Sequence, residues 1–116
     1  MPLLNDHLSV WEIGFRWAGH DPDEFWLRIP LTARDNFRTL IREIYESQLD
    51  CYTLHFEKYH GHDPEEAKQY IQHWHRAIEE CIGGRHFDRT LLKWANIDRS
   101  AFQTWCEHRK IPLPEF

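Results

Sequence analysis

A chain of 116 residues, 41% hydrophobic and 28% charged, can build one core but is too short for two ordinary domains. Six Trp, seven Phe and four Tyr exclude a disordered chain, because each ring can bury a large apolar area. The net charge of −5 is uneven: residues 1–84 hold 8 Lys and Arg against 15 Asp and Glu, residues 85–116 hold 6 against 4, so an acidic body precedes a mildly basic segment.

LSVWEIGFRWAG puts Leu8, Trp11, Phe15 and Ala18 at helical spacing, with Ser9 or Asp6 as N-cap and Gly19 as the stop. HDPDEFWLRIP then carries Pro22 and Pro30, which predict an irregular connector whose Phe25, Trp26 and Leu27 lie over the core. From Thr32 a strong helical stripe runs through Phe37, Leu40, Ile41, Ile44 and Tyr45, with Arg34, Arg38, Arg42, Glu43 and Glu46 off it. The stripe continues less cleanly through Leu49, Tyr52, Phe56 and Tyr59, which predicts a long or bent helix that runs on to about residue 59 or kinks near Ser47 to Asp50.

HGHDPEE marks a new helix: Asp63 as cap, Pro64 at the first position and two acids in the first turn. Its buried face is Ala67, Tyr70, Ile71, Trp74, Ala77, Ile78 and Cys81, and Gly83-Gly84 ends it. A shorter helix follows from about Asp88 to Ala95, then a turn at Asn96-Ile97-Asp98, then a helix from about Arg99 to Arg109. The turn chemistry predicts a left-handed Asn96, a buried Ile97 and a capping Asp98. No period-two alternation and no repeat appears. The expected fold is therefore all-α, a single domain of about five helices: an acidic body over 1–82, a helical pair over 85–111 and an extended tail over 112–116.

ANIDRSAFQTW, with Leu91, Leu92 and Ala95 facing Phe102, Trp105 and Cys106, resembles the helix-turn-helix of bacterial repressors, resolvases and transposases. Asn96 stands at the turn glycine, Ile97 at the plug and Asp98 at the cap; Leu92 stands where the family usually keeps a small residue. The likeness spans roughly 25 residues and none of the body. It implies a second helix in the DNA major groove, reading bases with Arg99, Ser100, Gln103 and Thr104 beside Glu107. Arg85, Arg89, Lys93, Arg109 and Lys110 would then touch the phosphates, and Gly83-Gly84 would let the segment swing onto the duplex. A specific reader of this size is expected to form a homodimer on two half-sites. The other reading of the same surface is a protein-interaction module or acidic inhibitor, in which the body binds a protein partner and the helical pair is architectural.

Catalytic and metal chemistry is weakly signalled. His60, His62, Asp63, His73, His75 and His86 hold metal-ligand atoms, but His73 and His75 point about 200 degrees apart on a helix. Cys51 and His55 are four apart, yet no orienting third group accompanies them. No metal, no cofactor and no enzymatic activity is expected. Cys51, Cys81 and Cys106 form no CxxC pair, which predicts a reducing, cytoplasmic setting. No window approaches the roughly 18 apolar residues of a membrane span, and no basic leader precedes an apolar run, so a soluble chain without a membrane partner is expected.

Overall fold

A computed structural model describes residues 7–24, 27–46, 48–51, 53 and 74–112. In chain order these form β1 (His7–Ser9), α1 (Val10–Trp17), α2 (Leu31–Tyr45), a helical stretch over 74–82 (α3), α4 (Arg89–Trp94), β2 (Asn96–Asp98) and α5 (Arg99–His108). The fold is mostly helical, in line with the all-α expectation, with one small two-stranded sheet added. β1 and β2 form an antiparallel pair, with His7 opposite Asp98, Leu8 opposite Ile97 and Ser9 opposite Asn96.

That pair explains why the turn differs from its sequence reading. Asn96 is extended, and among the described residues the non-glycine position in left-handed space is Lys110, at φ 56°. The backbone around Asn96 has better partners than a tight turn would supply. Val10 N donates to Ala95 O at 2.9 Å, Asn96 N to Thr53 Oγ1 at 3.0 Å, and the Cys51 thiol to Asn96 O at 3.2 Å. Thr53 Oγ1 and Asn96 Nδ2 both donate to Trp94 O, at 2.7 and 2.8 Å, which satisfies a carbonyl that the end of α4 leaves unpaired.

Both strands run straight into a capped helix. Ser9 Oγ accepts from Glu12 N at 3.1 Å at the head of α1, and Asp98 Oδ1 accepts from Ser100 N at 3.3 Å at the head of α5. Leu8 and Ile97, the central cross-strand pair, are fully buried. One continuous core runs from Leu8 to Cys106 and includes Leu91, Leu92 and Ala95, each without exposed surface. The segment after Gly83-Gly84 thus supplies seven of the 22 core residues among those described and is packed into the body, not hung from a hinge; Gly84, at φ 72°, serves to end α3.

α1 is the hub. Trp11 stacks on Phe37 of α2 at 5.7 Å and 13°, while Phe15 meets the same ring edge-on at 5.5 Å. Gly14 makes that approach possible, since a Cβ there would lie 2.2 Å from Phe37 Cε1. Asn36 Nδ2 adds a 2.9 Å hydrogen bond to Gly14 O. α4 packs chiefly on α1, so Leu91, Leu92 and Ala95 serve that contact more than one with α5. At its far end α1 offers Trp17 to Phe102 and Trp105, both edge-on at 6.0 Å.

Three further readings change. α2 ends at Tyr45 and does not run on, because Gln48 N and Leu49 N turn back to Glu43 O and bury Leu49. Leu27 is 83% exposed and does not cover the core; Phe25 and Trp26 lie outside the described residues, as do 54–73 with the predicted start at Asp63-Pro64. Glu43, placed off the apolar stripe by periodicity, is buried. Among the described residues no helix is long and apolar enough to cross a membrane.

Gly14→Ala is expected to destabilise the protein by about 1–3 kcal/mol, because the new methyl group has to displace a packed ring. Phe37→Leu in that background should recover part of the loss. Urea denaturation midpoints measure both, and a Gly14→Ala midpoint equal to wild type would refute the close α1–α2 packing.

Candidate nucleic-acid interface

α5 divides cleanly. Phe102, Trp105 and Cys106 go into the core, and Ser100, Gln103, Thr104 and Glu107 are exposed on the other side. Four of the proposed base-reading positions are therefore on one helix, although Arg99, at its first position, is half-buried. The two hydroxyl groups are already committed as donors: Ser100 Oγ donates to Asp98 Oδ2 at 3.1 Å and Thr104 Oγ1 to Ser100 O at 2.9 Å. Their free lone pairs can still accept from a base amino group.

The cations are not equivalent. Arg109 donates from Nη2 to Glu43 Oε2 at 2.7 Å, and its guanidinium lies 5.3 Å from the centre of the Trp105 ring. It ties the end of α5 to α2 and faces outward only as half of a neutral pair. Arg89 and Lys93, one turn apart on α4, both sit over the Trp11 ring, at 5.4 and 5.0 Å. Arg85 and Lys110 are exposed, and Lys110 holds the left-handed turn that ends α5. Sequence reasoning missed Glu43 because an acid among arginines on a helix reads as solvated. Its place three residues after Leu40 and one before Ile44 was the available signal.

A groove of about 510 Å³ runs along one flank of α5, between Ser100, Thr104 and His108 on the helix and Gln48 and Asp50 beyond α2. Asp50 on this flank and Glu107 on the exposed ridge beside Gln103 each oppose phosphate.

The thiols are buried. Burial pushes Cys81 up to about 12, with the nearby Arg38 guanidinium pulling the other way, and burial also raises Cys106. Cys51 donates to Asn96 O, and its candidate partner His55 lies outside the described residues. Among the described residues no three His, Cys, Asp or Glu side chains converge as metal ligands; His60, His62, Asp63 and His73 lie outside them, and His75 pairs with Glu79 at 3.1 Å.

Comparison with family models, with curated proteins and with solved structures finds no match. The site therefore rests on its own geometry.

Two outcomes follow from these contacts. Arg109→Ala strands the Glu43 carboxylate and should cost about 1–2 kcal/mol, below the range for fully buried pairs because Arg109 is 43% exposed. Adding Glu43→Gln should restore part of that, as read by thermal unfolding. For Cys81, the folded state holds its thiol proton more tightly than the unfolded chain does. Its stabilisation is complete below the ordinary value of 9.0 and is lost as pH rises from 9.0 towards about 12. Stability should fall more steeply with pH across that window in wild type than in Cys81→Ala; equal slopes would contradict the shift.

Proposed function

We propose that the protein is a non-enzymatic binder of double-stranded DNA that presents α5 to the major groove. The observation that carries this reading is the division of α5, which buries all its large apolar side chains and leaves a strip of hydrogen-bonding groups exposed. Ten residues make a helix about 15 Å long, suited to a groove about 12 Å wide. Arg99 and Gln103 are the base-reading pair, Arg for guanine and Gln for adenine, and Ser100 and Thr104 accept from base amino groups. Arg85, Arg89, Lys93 and Lys110 meet phosphates, while Arg109 holds the helix in place. The acidic body opposes binding, so useful affinity requires a homodimer on two half-sites. Three free, buried cysteines suit action in the cytoplasm.

A second reading, a protein partner held along α5, draws support from Asp50 in the flanking groove and from the neutralised Arg109. Salt dependence separates the two. With about four phosphate contacts, log affinity for a duplex should fall with log salt at a slope of about −4 per reader. Arg99→Ala and Gln103→Ala should each weaken binding to the best site by about tenfold or more, with thermal unfolding measured alongside to confirm that each variant is folded. Affinity for DNA that ignores both substitutions, or ignores salt, rules out α5 as the reader.

A further inference from the structure

A second groove, of about 540 Å³, lies between α1, the turn at 22–23 and α4, and is lined by Trp11, Glu12, Arg16, Pro22, Asp23 and Lys93. It holds two cations and two acids, yet none of these four side chains takes part in an ion pair among the described residues. Glu12 and Arg16 are four apart on α1 in the order that ordinarily pairs. Arg76 and Glu80, at the same spacing, do meet, at 3.1 Å. Separate contacts hold the groove charges apart. Glu12 Oε1 takes the Ser9 hydroxyl at 3.3 Å beside the cap of α1, and Lys93 Nζ is held over the Trp11 ring. Arg16 Nε is buried with no hydrogen-bond partner, so the donors that a ligand in the groove can reach are the terminal nitrogens of its guanidinium. Trp11 is itself fixed, its indole N–H donating to Pro22 O at 3.2 Å.

We propose that this groove binds a small zwitterion of amino-acid type, with Arg16 and Lys93 taking the carboxylate and Glu12 and Asp23 the ammonium. A plain anion meets two acids there and a plain cation meets two bases; a molecule carrying both charges satisfies all four. The volume is within the range of small-molecule clefts. The charges are already separated and the aromatic floor is already locked, so binding requires little reorganisation. Lys93 is shared with the phosphate contacts of the DNA reading, so the test variants are placed at Arg16 and Asp23, which belong to neither α5 nor those contacts.

The test uses the intact ¹⁵N-labelled chain, titrated with each common L-α-amino acid in turn while the Arg16 Nε–H and Trp11 Nε1–H resonances are followed. At least one amino acid should give a saturable shift at millimolar concentration or below. Its methyl ester and its N-acetyl derivative, each lacking one charge, should bind about tenfold more weakly or worse. Arg16→Gln and Asp23→Asn should each lose binding by a similar factor. Should either variant fail to fold, the analogue series on wild-type protein decides alone. The proposal is overturned if no amino acid saturates the shift, if either blocked derivative binds as tightly as its parent, or if inorganic phosphate alone saturates Arg16.

Discussion

The three-residue pairing of β1 with β2 is the constraint on which the rest of the structure depends. A two-stranded ladder this short is marginal in water. It persists here because Leu8 and Ile97 meet at its centre with no exposed surface, and because Cys51 and Thr53 take up the free backbone groups of Asn96. It also joins positions about 90 residues apart, and the entropy of closing so long a loop rises only slowly with length. Once β1 lies against β2, α1 must start beside the end of α4, as the 2.9 Å bond from Val10 N to Ala95 O shows. The choice of α1 as the partner of α4 follows from the ladder.

α1 then carries the remaining helices. One part of its surface closes on α2 through the absent side chain of Gly14, and its last residue, Trp17, reaches Phe102 and Trp105. α5 is consequently held in three places: its first turn by Asp98 in β2, its middle by Trp17, and its end by Arg109 on Glu43. Such a helix loses little further freedom when it meets a ligand. A helix hanging on a glycine hinge, as the charge boundary at Gly83-Gly84 suggested, would lose much more.

What could be read in the sequence was local. Ser9 and Asp98 as caps, Gly84 as a stop, and the Phe37–Ile44 stripe each depend on chemistry within one or two turns, and each appears in place. β1 and β2 were invisible because three residues give no period, and HLS and NID have no hairpin between them. Asn96 was misjudged for the same reason: its tolerance of left-handed angles is local, whereas the bonds that keep it extended come from Cys51, Thr53 and β1. The exposed ridge of α5 was legible as a helix face. The removal of Arg109 from the free cations was not, because Glu43 is 66 residues away.

Charge shows best how far composition and surface can differ. The segment 85–116 counts as +2, but the fold spends Arg109 on Glu43 and gathers Arg89 and Lys93 around one ring. Asp98 adds a further constraint. As the cap of α5 it places a carboxylate where a helix N-terminus would otherwise attract phosphate, and it ties up the Ser100 hydroxyl as well. A duplex approaching α5 therefore cannot seat its backbone on the head of the helix. On the proposed DNA reading the phosphates would meet cations on the flanks and the bases the exposed face that carries Gln103 and Thr104, with Arg99 at its edge. The residue that starts the helix also decides the orientation in which the helix can be used.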